Sequence, residues 1–233
     1  MDLNLAGKKA LITGASKGIG LAIAKRFANE GCSVVLVARS EDDLKQAQRA
    51  ILTTDQSVGV DYRVADLSNT SEVNALANEQ ADIDILVNNA GAIPAGNINR
   101  VDEATWREAW DLKLFGYISL CRGIYASMSA RRDESGQRVI LNIIGAGGER
   151  PSSGYLAGAG ANAGLMAITR AMGGVSRKHG IRVLGINPGQ IVTERLETMQ
   201  RVLAEEKFGD AERWKEVWDP NYPPGQVEHI ADA

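Results

Sequence analysis

Eight consecutive residues, Thr13-Gly14-Ala15-Ser16-Lys17-Gly18-Ile19-Gly20, carry the clearest chemistry in this chain. Glycines at 14, 18 and 20 permit a tight turn and let backbone N–H groups approach a pyrophosphate. The apolar run Lys9–Thr13 directly precedes them and a helical pattern, Gly18–Glu30, follows. The loop is therefore expected where a strand feeds a helix whose positive end favours an anion. Charge then separates two ligands. A chain that binds NAD places a carboxylate at the end of its second strand to hold the ribose 2′-hydroxyl. Here Ala38 stands in that place, Arg39 follows it, and Lys17 lies inside the glycine loop. Two cations and no carboxylate suit the 2′-phosphate of NADP, preferred over NAD.

A second group lies downstream. Tyr155, Gly158 and Asn162 fall at i, i+3 and i+7, on one face of an expected helix. Gly158 leaves room above it into which the Tyr155 phenol can lean. Glu149 and Arg150 precede that helix on a loop, as a candidate substrate contact or a solvated pair. Small residues crowd Gly154–Gly164, which allows either close helix packing or a wide pocket.

The elements that must position these residues alternate. Apolar runs at Lys9–Thr13, Ser33–Ala38, Tyr62–Ala65, Ile83–Asn88, Val139–Ile143 and Arg182–Ile186 are separated by helical patterns. The latter cover Gly18–Glu30, Glu41–Leu52, Ser71–Glu79, Thr105–Arg131 and Gly154–Lys178. Strands this apolar suit a parallel sheet covered on both faces. The expected fold is α/β, a single Rossmann-type doubly wound sheet over residues 1–233. Trp106 and Trp110 read as core anchors. Residues 193–224 read as a lid, with Leu196, Met199, Leu203, Phe208 and Trp214 at helical spacing broken at Gly209. A small, partly apolar substrate fits that lid.

Composition narrows the class. A net charge of -3 gives no case for nucleic acid or a membrane surface. No apolar run approaches the roughly 20 residues of a spanning helix. Cys32 and Cys121 lack metal-ligand spacing, so reduced thiols in the cytoplasm are expected. With two histidines, His179 and His229, no metal site is expected. Gln226–Ala233 reads as the start of an amphipathic helix cut short after about two turns.

The chain resembles the short-chain dehydrogenase/reductase family along essentially its whole length. The likeness rests on Thr13–Gly20, Asp66-Leu67, Asn88-Asn89-Ala90-Gly91, and Asn187-Pro188-Gly189 with Thr193. It implies that Gly14, Ser16, Lys17, Gly18, Ile19 and Gly20 hold the pyrophosphate side and that Asp66 and Leu67 flank the adenine. It implies that Asn88, Ala90 and Gly91 line the cofactor, and that Pro188, Gly189, Ile191 and Thr193 cover the nicotinamide. Each has a plainer reading, in that Asp66 can cap a turn and Pro188-Gly189 can be one. The family's catalytic set is Asn, Ser, Tyr and Lys. The stretch Asn162–Ala171 matches the family from its Lys onward, which puts Asn162 there, Gly158 at the Tyr and Gly145 at the Ser. Asp111–Gly116 puts Lys113 at the Asn. The resemblance thus implies an oxidoreductase with an exchanged Asn and Lys, in which Lys113, Tyr155 and Asn162 are the candidate catalytic residues. A cofactor-binding protein without turnover, or a non-redox reaction, are the alternatives. It further implies a homodimer or homotetramer built on 105–131 and 154–178, and a further helix portion and last strand beyond Ala233.

Overall fold

A computed structural model describes residues 3–53, 58–131, 138–218 and 224–233. Residues 219–223, the end of the expected lid, lie outside the described residues. Six parallel strands form one sheet in the order β3-β2-β1-β4-β5-β6. They are β1 (Lys9–Thr13), β2 (Ser33–Ala38), β3 (Val60–Val64), β4 (Ile85–Asn88), β5 (Arg138–Ile143) and β6 (Ile181–Ile186). The expected doubly wound sheet is present.

Period-two alternation divides the core into two layers. On one face Ala10, Ile12, Val34 and Leu36 pack with Ile23 and Ala24 of α1 (Gly18–Asn29) and Leu44 of α2 (Glu41–Leu52). On the other, Leu11, Val35, Leu86 and Ile140 pack with Leu76 of α3 (Thr70–Glu79). Strand order reverses between β1 and β4, whose carboxyl ends therefore flank the crevice where such sheets bind ligands. Thr13 ties the two together: its Oγ1 accepts from the amides of Asn89 at 2.9 Å and Ala90 at 3.0 Å.

The expected helix Thr105–Arg131 is interrupted. It divides into α4 (Glu103–Trp110), a π-helical turn at Asp111–Phe115, and α5 (Gly116–Ala130). Asp102 caps α4, its Oδ1 accepting from Thr105 N at 2.8 Å. The π turn inserts a residue into the hydrogen-bond ladder and re-aims the side chains on it. Lys113 is one of these. The long α6 (Leu156–Ser176) follows β5, and α7 (Glu194–Phe208) ends at Gly209, whose φ of 67° is the left-handed stop. A kinked 3-10 segment, Ala211–Val217, packs on α7, and α8 (Val227–Ala231) packs beside α1. No described helix is long and apolar enough to cross a membrane.

Candidate functional site

The glycine loop is built around close backbone approach. A side chain at Gly20 would meet Gly14 O at 2.3 Å and Asn89 Nδ2 at 2.5 Å. Gly14 and Gly18 have φ of 64° and 58°, a region that favours glycine. Lys17 precedes α1 and offers no side-chain cap, so the first amides of α1 remain for an anion. These features fit a pyrophosphate. Ser16 and Ile19 are half-buried on the loop, and Lys17 is exposed.

Arg39 directly follows β2 on the exposed rim, and its charge reaches Asp66 across the tip of the sheet. Asp66 Oδ1 accepts from Ser68 N at 2.9 Å and Ser68 Oγ at 2.7 Å, so it does cap a turn. Burial alone would raise its pKa; the Ser68 bonds and Arg39 outweigh that and hold the carboxyl below its usual value. Leu67 is buried beneath. Lys17 Nζ, in contrast, turns to Glu194 on α7 at 2.8 Å, a highly exposed pair that raises the lysine pKa. The two cations expected at one phosphate thus have different neighbours.

Lys113 is buried, at 8% exposure, and its Nζ donates to Ile144 O at 2.6 Å. It therefore crosses from the π turn to the end of β5, one residue before Gly145. Burial, aided by the charge of Arg195, lowers its pKa from 10.5 to about 7. Gly91 makes room for the stem, since a Cβ there would meet Lys113 Cδ at 3.1 Å. Asn88, at the end of β4, is locked in a buried network, donating to Asn142 Oδ1 at 2.9 Å. Asn142 in turn donates to Thr169 Oγ1 on α6 at 2.9 Å, which fixes α6 against the strand ends.

Tyr155 is the residue just before α6, and Asn162 lies about two turns into the helix. A Cβ on Gly158 would fall 1.9 Å from Tyr155 Cζ. The phenol ring therefore fills the space where a side chain at 158 would start. A Cβ on Gly147 would meet Tyr155 Cδ1 at 3.3 Å, and one on Gly145 would meet Asn162 Nδ2 at 3.0 Å. Burial raises the phenol pKa, and the nearby charge of Arg195 opposes it. Asn162 is 2% exposed and its Oδ1 has no partner. Lys113, Tyr155 and Asn162 are thus gathered around the strand-end glycines. Glu149 is not: its carboxylate accepts from Asn187 Nδ2 at 2.9 Å.

Arg195 is the residue that sequence reasoning missed. From the first turn of α7 it donates Nη1 to Gly91 O and Nη2 to Ile93 O, the latter at 3.0 Å. A cation in an exposed-looking lid helix gives no sequence signal of reaching this far. Thr193 caps α7, its Oγ1 accepting from Leu196 N at 3.1 Å, and its methyl faces Gly18. Ile191 is buried and bridges to Gly225. Pro188 O accepts from Ala146 N at 2.8 Å, joining the Pro188-Gly189 turn to the Gly145 loop. Beyond Tyr155, Ser152, Gln190, Gln200, Leu203 and Val217 line an open cleft of about 460 Å³ under α7. Its lining is more polar than the expected apolar lid. Small residues around 154–164 serve close packing in part, since Gly160 faces Trp110 and Gly164 faces Leu114. Trp110 packs edge-on to Trp106 and donates Nε1 to Ala157 O at 2.9 Å.

Known proteins agree with this architecture. Residues 8–203 match the short chain dehydrogenase family model. Gluconate 5-dehydrogenase of Gluconobacter oxydans is 28% identical over 236 residues, covering 99% of this chain and 87% of that protein. The structure of L-sorbose reductase from Gluconobacter frateurii, complexed with NADPH and L-sorbose, aligns with a TM-score of 0.86. It is 30% identical and the match covers 100% of this chain and 89% of that one. An NAD+-bound xylitol dehydrogenase, 20% identical with a TM-score of 0.88, shares the fold over 98% of this chain and 91% of its own. The family fold binds a nicotinamide cofactor, and the loop, strand order and crevice described above are its parts. This chain belongs to the short-chain dehydrogenase/reductase family.

Proposed function

We propose that this protein is an NADP(H)-dependent oxidoreductase acting on a small polar carbonyl or alcohol, with an exchanged catalytic set. Gly145, Gly158 and Asn162 stand at the family's Ser, Tyr and Lys positions, and Lys113 stands at its Asn. The observation that carries the reading is the path of Lys113. Its amine arrives at the end of β5 from the opposite helix, at 2.6 Å from Ile144 O and beside Gly145. A lysine moved from α6 to the π turn still delivers an amine to the same strand ends.

A nicotinamide held here would supply or accept the hydride. Gly14 to Gly20 hold the pyrophosphate by backbone amides, and Arg39 meets the 2′-phosphate. Asp66 keeps its outer oxygen for the adenine side, and Asn88, Ala90 and Gly91 form the wall at the end of β4. Asn162 offers its unpartnered Oδ1 to a ribose hydroxyl. Pro188, Gly189, Ile191 and Thr193 close the nicotinamide end. The protonated Lys113 donates to the substrate oxygen as charge develops there. Its pKa of about 7 places both of its forms within reach at neutral pH. Tyr155 orients that oxygen through its phenol. Phe115 and Val175, exposed on the long helices, support assembly as a homodimer or homotetramer. Two free, buried cysteines suit the cytoplasm. We read residues 1–233 as one domain with 193–224 as its lid.

The test is NADPH binding by fluorescence followed by NADPH oxidation over a panel of carbonyl compounds. Binding with turnover supports the reading; tight binding with no turnover on any member would assign cofactor binding without catalysis. Arg39→Asp is expected to weaken NADPH binding by about 10–100-fold with little effect on NADH, because it removes a charge-assisted phosphate contact. Equal affinities in the parent protein would contradict the NADP assignment. Tyr155→Phe is expected to lower kcat about tenfold while leaving NADPH affinity unchanged, the mark of a lost orienting hydrogen bond; stopped-flow turnover of the two proteins checks it.

A further inference from the structure

We propose that Arg195 receives a carboxylate on the substrate, so that the substrate class is the short oxo acids and their hydroxy-acid counterparts. The proposal rests on the oxidoreductase reading for its setting, and on the charges around Arg195 for its substance. The guanidinium is fixed by two neutral acceptors, Gly91 O and Ile93 O, and its charge is felt by the Tyr155 phenol. None of these neutralises it. Lys113 lies close enough to feel its charge, so two cations share the site.

Among the described residues, neither Arg195 nor Lys113 forms an ion pair with an acid. The carboxylates nearest along α7 are committed elsewhere: Glu194 pairs with Lys17 at 2.8 Å and Glu197 with Arg201 at 2.9 Å. Two half-buried or buried cations with no counter-ion raise the energy of the ligand-free site, and an anion lowers it. Arginine presents five donors in a rigid fork and two are used on the carbonyls, which leaves donors for a carboxylate. Because Gly91 holds the guanidinium on its carbonyl and lies against the Lys113 stem, a carboxylate seated on Arg195 places an adjacent carbonyl toward Lys113. The carboxylate is a handle and takes no part in bond making. Charge complementarity of this kind also discriminates against neutral analogues, which leave both cations unpaired.

The experiment uses the NADPH complex and two small probes, oxamate, which carries a carboxylate, and oxamide, its neutral counterpart. Binding is read from NADPH fluorescence and, on the cofactor-free protein, by calorimetry. The expected result is that oxamate binds in preference to oxamide. Arg195→Gln should weaken oxamate by about 10–100-fold with NADPH affinity unchanged, and Arg195→Lys should recover part of the loss. Equal binding of oxamide and oxamate would overturn the proposal. So would an Arg195→Gln protein that loses NADPH affinity and keeps oxamate, since Arg195 would then serve the cofactor. If the parent protein binds no NADPH yet binds oxamate through Arg195 by calorimetry, the carboxylate site stands and the oxidoreductase reading falls. If it binds neither, both fall.

Discussion

Lys113→Met is expected to lower kcat for carbonyl reduction by about 10²–10⁴, the usual worth of a positioned proton donor. The same substitution is expected to make the protein more stable near neutral pH. The Lys113 amine is buried and its pKa falls from 10.5 in the free side chain to about 7 in the fold. Below pH 7 both folded and unfolded chains carry the proton, and the fold bears the full cost of burying it. Between pH 7 and 10.5 the unfolded chain holds a proton that the folded chain has released, so stability climbs with pH across that window. Methionine has similar length, fills the same apolar channel past Gly91 and carries no charge. Replacing a buried, unpaired charge this way stabilises by about 1–4 kcal/mol. Thermal melts from pH 6 to 10 check this: the parent Tm should rise relative to that of the variant as pH increases. A lysine that merely braced Ile144 O would show the reverse at pH 7, a loss of stability on substitution.

Gly158→Ala is expected to cost about 1–3 kcal/mol of stability and to lower activity with it, although alanine is the better helix former by about 1 kcal/mol. The reason is local. The added methyl would sit 1.9 Å from Tyr155 Cζ, so the ring must leave its place. The two positions are coupled, and a double-mutant cycle exposes that. In a Tyr155→Ala background Gly158→Ala should become neutral or stabilising, because the helix then gains propensity with no ring to displace. Urea denaturation of the four proteins measures the coupling. Additive effects would mean that the ring of Tyr155 does not occupy the space above Gly158.

Much of this was legible in the residues. Lys9–Thr13 running into Gly14, with Arg39 after the second strand, marked a strand, a phosphate-binding turn and a helix, because each has a local cause. The sheet followed from apolar runs too uniform for one-sided strands. The π turn at Asp111–Phe115 was not legible, because Leu112, Leu114 and Phe115 keep an apolar pattern that a continuous helix satisfies equally. Its consequence, a buried Lys113, runs against the ordinary expectation that a helical lysine is solvated. Arg195 was hidden for a related reason. Its long side chain acts about a hundred residues away in sequence, at Gly91 and Ile93, and only the tertiary packing of α7 brings it there. The spacing of Tyr155 from Gly158, by contrast, marked the possibility that one fills the other's space, and the ring does lie there.

The pH dependence of kcat/KM for NADPH-dependent reduction, compared between the parent protein and Lys113→Met, bears most directly on the exchanged catalytic set. The donor form of Lys113 is protonated, so the parent rate should be level at low pH and fall tenfold per pH unit above about 7. The small residual rate of the Lys113→Met protein should lack that fall. A parent profile that is flat from pH 6 to 9, or a Lys113→Met profile that keeps the same inflection, would contradict Lys113 as the proton donor.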